Sequence, residues 1–532
     1  MNLSRYLPFA SVLLLTAVLL LAGHLGSPRF WWPLVLLVPL AGVGIWNLAQ
    51  PTHSIMRLYP LSAHVRWFFE WLRPYMREYL LDSDHEGRPF THSQRRLVYQ
   101  RSKDIEGVKS FGADVDMYEP GFEWINHSLH AVDDSPRDHR VLVGGADCQR
   151  PYEASVLNIS AMSFGSLSGR AIEALNLGAK LGNFYHDTGE GGISRHHHSH
   201  GGDLVWEIGT GYFGCRTRDG RFDAAAFADR AAHDQVRMIE IKLSQGAKPG
   251  KGGMLPGSKV SREIAEARGV DMGRDVLSPA RHSAFSTPLE MMEWIAELRR
   301  LSGGKPVGFK LCIGHRWEFL GLVKAMLQTG TTPDFIVVDG AEGGTGAAPA
   351  ELSNHVGTPL REALIFTQNA LVGTGLRDRV RVAAAGKIFD GHTMAASLSL
   401  GADWCNSGRA FMFALGCVQT KKCQTDRCPT GVATQDRLRQ SGLVVSDKGP
   451  RVANFHRNTV AALSQYVAAA GLRSPSELRP HHLRIRVGET EVHSADRVYE
   501  FLEPGALIDA PEDTPYDRWW AMADASSFLP RS

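Results

Sequence analysis

At 532 residues the chain exceeds one ordinary core unless that core is a barrel of about 250 residues or more carrying insertions, so one large domain with appendages is expected. Lysine and arginine total 58 against 56 acidic residues, and a net charge of +2 supplies no field for nucleic acid, which is excluded as a partner class. Seven cysteines, an odd number in so long a chain, argue against a secreted disulfide framework, while 54 glycines gathered after apolar runs suit an α/β enzyme with backbone-lined loops.

No charged residue lies between Leu7 and Gly23 or between Phe30 and Gln50. Each stretch can span ~30 Å of hydrocarbon as a helix. Trp31 and Trp32 at one end of the second stretch, with Trp46 near the other, are placed as interfacial anchors. Residues 1–50 therefore read as a transmembrane hairpin. A cleaved signal peptide is the competing reading for the first stretch; the second stretch follows at once, and no clear small-x-small cleavage site separates them. Arg57, Arg66, Arg73 and Arg77 come next, and the positive-inside bias puts the large domain in the cytoplasm of a multi-pass cell-membrane protein. Residues 51–148, with the amphipathic run His64 to Tyr79, carry no catalytic constellation and read as a juxtamembrane helical connector whose arginines face solvent or lipid.

From Ala154 onward, short apolar runs alternate with helical stretches. VLNIS leads into AMSFGS, MIEIKLS into QGAKPGKGG, VGFKL into CIGH, FIVVD into GAEGGTGAAP, VRVAA into AGK and ADWCN into SGR. Continuous apolar runs suit parallel strands buried on both faces, and their alternation with helices implies βαβ units. The expected fold is α/β, a (β/α)8 TIM-type barrel over 149–480 with a C-terminal extension over 481–532; a doubly wound open sheet is the rival. Chemistry then belongs at the C-terminal ends of the strands, where these loops fall. Gly209-Thr210-Gly211-Tyr212-Phe213-Gly214 formally satisfies GxGxxG, but without an evident strand-turn-helix unit, and with Asp219 and Asp223 too near, it reads as a structural turn. His196, His197, His198 and His200 form a further cluster, although adjacent histidines rarely converge on one ion, and whether they bind metal stays open.

The sharpest motif is GCVQTKKCQTDRCPTGVATQ, in which Cys417, Cys423 and Cys428 are spaced C-x5-C-x4-C. Offsets of six and eleven do not keep three thiols on one helical face, so their clustering requires a loop that wraps something. Three thiolates without a nearby fourth ligand fit a three-iron, four-sulfide cluster better than a four-iron cubane or zinc.

The run Ala414 to Asp436 resembles the cluster-binding segment of the glutamate synthase large subunit, down to the proline after the third cysteine. Four further segments agree in order: SAMSFGSLS at Ser160–Ser168, DTGEGG at Asp187–Gly192, IKLSQGAKPGKGGMLPGSKV at Ile241–Val260 and EGGTGAAP at Glu342–Pro349. The likeness runs from about Val156 to Gln435 and is similar in architecture to the short, stand-alone FMN-binding proteins of that family. It implies an oxidoreductase that uses FMN and a 3Fe-4S cluster at Cys417, Cys423 and Cys428 to reduce the imine of 2-oxoglutarate to L-glutamate. The long enzymes carry an N-terminal nucleophilic cysteine where this chain has Asn2, and a β-helical domain beyond the point where it stops at Ser532. The expectation is therefore no glutaminase of its own, with nitrogen arriving as ammonia or as glutamine-derived nitrogen from a partner. Electrons are expected from ferredoxin or a separate NAD(P)H-oxidising subunit.

The resemblance places the backbone of Ala161, Met162 and Ser163 along the flavin ring, with Gly343 and Gly344 in the same cofactor site. Gly386 and Lys387, with Gly408 and Arg409 from the next loop, offer backbone donors and cations to the FMN phosphate. The family's DGG loop reads Ala385-Gly386-Lys387 here, which alters that part of the contact. Lys242, Gln245 and Lys248 follow one strand toward the barrel mouth, where lysines can stabilise reduced flavin and hold a dicarboxylate. Lys310, ending VGFK, is a similar candidate, and Glu190 is expected to orient substrate or ammonia. Two alternatives stand beside this reading: the same cofactors acting on a different amine or oxo acid, or a non-catalytic membrane electron-transfer partner.

Overall fold

The computed structural model describes residues 3–105, 107–133 and 138–531, which form two compact units, Met1–Ser93 and Gln94–Ser532. In the first unit, Ser4–Leu25 and Pro28–Ala49 are helical over 22 residues each and are long and apolar enough to cross a membrane. Only 11% and 22% of their apolar windows are buried, unlike the core helix of a soluble domain; a signal sequence passes the same test of length and composition. The two helices touch where Phe9 seats on Gly44, at which any side chain would meet the ring at 2.1 Å. Beyond them come the short helix Ser54–Leu58 and the longer Ala63–Met76.

The second unit is built on a closed barrel of eight strands: β1 Leu157–Ile159, β2 His186–Asp187, β3 Leu204–Ile208, β4 Val236–Lys242, β5 Val307–Leu311, β6 Phe335–Asp339, β7 Arg381–Ala385 and β8 Trp404–Ser407. All pair in parallel with their sequence neighbours, and β8 closes on β1 through Cys405↔Leu157, Asn406↔Asn158 and Ser407↔Ile159. Closure removes the open-sheet alternative. β3 and β5 are buried at every position, as strands enclosed between helices and a filled interior must be.

Side-chain caps fix where several of the outer helices begin. Ser168 accepts from the Ala171 N–H ahead of Gly169–Gly182, Thr287 and Glu290 form a capping box on Pro288–Leu301, and Asp390 does the same with Thr393 on Gly391–Ser399. The hairpin of Arg140–Val143 and Tyr152–Ser155 plugs the N-terminal end. Its Val143 and Ala154 share a core cluster with Tyr185, Met238, Phe335 and Trp404. The long helix Val445–Ala469 returns along Gly169–Gly182, and Glu123–Ile125 pairs with Leu483–Arg486 in a small outer sheet. The C-terminal end of the barrel is left to the loops.

Candidate active site

The loops after β1 and β2 interlock. Ser160 donates to the Ser407 carbonyl and Met162 to that of Asp187, so the Ala161–Ser163 segment is pinned across the strand ends. Gly189, at φ +64°, lies so close to Ser163 that a β-carbon would sit 2.8 Å from its nitrogen, which only glycine permits. That approach brings Glu190 over the mouth. Its Oε2 lies 3.2 Å from Lys242 Nζ at the end of β4, and Gly209 and Gly253 press against its side chain. Glu190, Thr210, Lys242, Gln245, Lys251 and Gly253 line one cavity here. Burial alone would raise the Glu190 carboxyl, but Lys242, Arg268 and Lys248 outweigh it and hold it below its ordinary range. Lys248 is itself buried, and burial lowers its ammonium. The structure thus gathers Glu190, Lys242, Gln245 and Lys248 around one spot.

Lys310 lies deeper. Its ammonium pairs with Glu207 and stands 3.2 Å from Glu240 and 3.9 Å from Asp187 inside the barrel. Burial opposes its charge, but the three carboxylates more than compensate and push its pKa well up. Asp187, Glu207 and Glu240 converge as metal-ligating carboxylates would, yet the Lys310 nitrogen already supplies their cation. Burial, and repulsion from Glu207, raise Asp187 and Glu240 in turn. Lys242, 3.9 Å from Glu207, links this interior cluster to the mouth.

On the opposite rim, the loops after β6, β7 and β8 meet around Glu342, which sequence reasoning missed. Its carboxylate accepts from the Leu360 N–H, and its carbonyl accepts from Arg409 Nη2 at 2.7 Å. A β-carbon on Gly344 would lie 2.7 Å from Arg409 Nε, and one on Gly386 would lie 3.6 Å from the Glu342 carboxyl carbon. Gly343 donates to the Gly340 carbonyl in the same loop. Gly386 and Lys387 both take positive φ, +150° and +50°, so the chain turns sharply after β7 and leaves Lys387 exposed. Burial lowers the Arg409 guanidinium to about 10. Gly408 leaves room beside Met162, whose Cε would be 3.3 Å from an added β-carbon.

The cysteine segment packs on the same rim. Ser168 donates to Val432 O, and Gln435 Nε2 donates to the carbonyls of Gly165 and Leu167. Buried Lys259, also unforeseen, donates to the carbonyls of Ser166, Cys423 and Ala433 and ties three loops together. A β-carbon on Gly346 would lie 3.9 Å from Cys423 Cβ, so the EGGTGAAP loop touches the segment as well. Cys417 and Cys423 are half-buried and Cys428 is buried, and none of the three is in a disulfide. Burial raises Cys423. At Cys428 burial acts in the same direction but loses to donors from Thr430, Ala433 and Val432, which bring the thiol below its ordinary value.

Three of the four clustered histidines diverge. His196 bridges Glu173 and Glu263 at 2.6 and 2.7 Å, while His198 contacts Gln235 and packs tilted against His233. His197 accepts from the Ser194 N–H at Nδ1 and donates from Nε2 to the Met162 carbonyl, bracing the β1 loop. GTGYFG follows β3, which ends directly before it at Ile208, but it does not open a helix. The following helix starts only at Ala224, and Tyr212 closes a turn onto the Gly209 carbonyl. Its ring lies inside, where its hydroxyl accepts from the Ser283 and Ala284 N–H groups.

A protein family defined as the conserved region in glutamate synthase matches residues 143–473. The chain is 35% identical over 508 residues to the glutamate synthase large subunit-like protein YerD of Bacillus subtilis, covering 88% of this chain and 96% of that protein. It is 31% identical over 328 residues to the archaeal-type glutamate synthase [NADPH] of Thermotoga neapolitana and 32% identical over 329 residues to the archaeal glutamate synthase [NADPH] of Methanocaldococcus jannaschii. Each of these two alignments covers 62% of this chain and 61% of the relative.

Proposed function

The chain belongs to the glutamate synthase family of oxidoreductases acting on CH–NH2 donors, and from that premise we propose that it reduces the imine of 2-oxoglutarate to L-glutamate. The observation that carries this reading is the Glu190–Lys242 pair, 3.2 Å apart, at a mouth ringed by the five motif loops. For FMN, the cradle fits. Gly344 and Gly408 leave room that a side chain would fill, beside the half-buried Arg409 guanidinium, and a phosphate there would gain a charge-assisted bond. Gly386 and Lys387 supply the adjoining turn, and the backbone of Ala161–Ser163 supplies the ring face.

The cysteines fit a cluster better than a single zinc ion. Three thiolates with no local histidine as a fourth ligand match the count of a three-iron cluster, whereas zinc takes four. Donors around Cys428 favour a thiolate, and Lys259 adds positive charge beside Cys423 and Cys428. Bound in these places, a 3Fe-4S cluster would relay single electrons from ferredoxin or an NAD(P)H-oxidising subunit, and FMN would deliver a hydride.

The chain's own residues do the rest. Lys242 and Lys248 bind the carboxylates of the oxo acid and Gln245 orients it. Glu190, kept ionised by its three cationic neighbours, faces the iminium nitrogen formed with ammonia or glutamine-derived nitrogen and holds its proton. The two apolar stretches form a membrane hairpin, and the arginines beyond it keep the barrel on the cytoplasmic side. Purified protein supplied with dithionite or reduced ferredoxin, 2-oxoglutarate and ammonia is expected to form glutamate, and Lys242→Met to lose about 100-fold or more in turnover. If no glutamate forms while absorption and EPR spectra report intact flavin and cluster, the substrate assignment fails.

A further inference from the structure

Helix Ala63–Met76 is too short to span a bilayer, since 14 residues cover about 21 Å against ~30 Å of hydrocarbon. Yet it is not built for water. At 100° per residue, Arg66, Glu70 and Arg73 fall into one narrow stripe, while Trp67, Phe68, Phe69, Trp71, Leu72 and Tyr75 occupy most of the remaining circumference. The rings are uncovered: Phe68 is 53%, Phe69 60% and Trp71 63% exposed. An aromatic face this large, left open on a helix, marks an interaction surface.

Two further observations select its occupant. Between Ile55 and Met76 the charged residues are Arg57, Arg66 and Arg73 against Glu70, a net of +2 by subtraction, which complements an anionic surface. The helix is also tied to the end of the second apolar stretch. Buried Asn47 donates to the Pro60 carbonyl and to His64 Nε2 at 2.6 and 2.7 Å, and the His53 ring packs edge-on against Trp67 at 6.2 Å. The corner is braced further by Gln50, whose Nε2 donates to the Asn47 and His53 carbonyls. The aromatic face therefore starts where Trp46, 71% exposed, marks the end of an apolar helix.

We infer that Ala63–Met76 lies in the plane of the membrane, its aromatic face sunk into the headgroup–acyl boundary of an anionic leaflet and its arginine stripe turned toward the phosphates. The aromatic rings supply apolar area, and the arginines keep their stems in the interface while their heads reach the phosphates. The hairpin reading fixes which leaflet this is; the helix itself binds through its own face.

The test reconstitutes the full chain in nanodiscs of phosphatidylcholine with phosphatidylglycerol, doped with a phospholipid carrying a photoactivatable acyl chain. Trypsin cuts after Arg66 but not between Arg73 and Pro74, so residues 67–77 emerge as one peptide, separate from hairpin peptide 30–57. Labelling of 67–77 within about threefold of that of 30–57 is expected, falling at least about fivefold in Phe68→Ser/Trp71→Ser with the 30–57 signal unchanged. Labelling of 30–57 without 67–77 overturns the inference and leaves the helix facing water or protein. Labelling of neither overturns it together with the hairpin. Labelling of 67–77 that is the same in pure phosphatidylcholine overturns the anionic part. Should the double variant fail to accumulate, Arg66→Gln/Arg73→Gln, read on the longer tryptic peptide 58–77 that loss of Arg66 creates, must weaken labelling only where phosphatidylglycerol is present.

Discussion

A methyl group at Gly253 would lie 2.0 Å from Glu190 Oε1, whereas one at Gly246 would lie 1.7 Å from the Gly340 carbonyl oxygen. The two glycines look alike in the motif IKLSQGAKPGKGG, yet the obstructions differ. The Glu190 carboxylate can swing away, so Gly253→Ala is expected to fold normally and to lose about 100-fold in turnover by moving Glu190 off Lys242. At Gly246 backbone meets backbone across the β4 and β6 loops, so Gly246→Ala is expected to cost about 1–3 kcal/mol of stability. Parallel thermal melts and steady-state assays separate the two outcomes. Lys259→Met tests the joint between loops: without a donor for the Ser166, Cys423 and Ala433 carbonyls, purified protein should carry less iron per chain while the barrel stays folded. Most candidates read from the sequence sit in contiguous motifs, and the structure brings Glu190, Lys242 and Gln245 together at one cavity, with Lys248 near enough to act on the Glu190 charge. Lys310, expected at the cofactor, pairs with Glu207 inside the barrel. The roles of Glu342, Lys259 and His197 were invisible because they depend on partners 67, 164 and 35 residues away. Glu342 stood inside a quoted motif, but nothing in one sequence pairs it with Arg409.

Elements were legible where burial leaves a continuous apolar mark. Six barrel strands are such runs; β2, only His186–Asp187, is too short and polar to leave one, and β3 carries Glu207 in the middle of LVWEI because that side chain points at Lys310. Helix contacts leave no periodic mark when they depend on glycine. A β-carbon on Gly178 would stand 2.3 Å from Val452 Cγ1 and 3.0 Å from the Gly449 carbonyl, where Val445–Ala469 crosses Gly169–Gly182. Alanine in place of a mid-helix glycine ordinarily stabilises by about 1 kcal/mol. Here overpacking costs about 1–3 kcal/mol, so packing wins and Gly178→Ala is expected to lower stability. Val452→Ala should recover part of the loss, a coupling that a double-mutant cycle in urea would measure.

At the scale of the whole molecule, closure of β8 on β1 creates an interior that no local pattern announces, and that interior sets the response to acid. Among the described residues of the second unit five imidazoles are buried, His139, His186, His197, His282 and His456, and burial lowers all of them, holding His197 and His456 at about 3 and His282 at about 4, against 6.5 in an exposed ring. Folded, they stay neutral until the pH falls that far, whereas in the unfolded chain they take up protons from about 6.5 downward. The unfolded state therefore binds more protons in that window, so stability is full above pH 6.5 and falls as pH drops through it. Each ring contributes up to about 3 kcal/mol of this loss at pH 4. Asp187 and Glu240, raised by burial, run the other way, because their folded forms already hold a proton where the unfolded carboxylates do not, and they offset part of this loss. His456, stacked on Phe184 at 4.0 Å and bonded to Ser155, is the cleanest probe, lying away from the mouth. His456→Phe keeps the stack and removes the titration. Its acid-unfolding midpoint, followed by tryptophan fluorescence, should move to lower pH, while its stability above pH 7 drops only by the lost Ser155 bond, about 1 kcal/mol. An unchanged acid midpoint would assign the acid transition to groups other than His456.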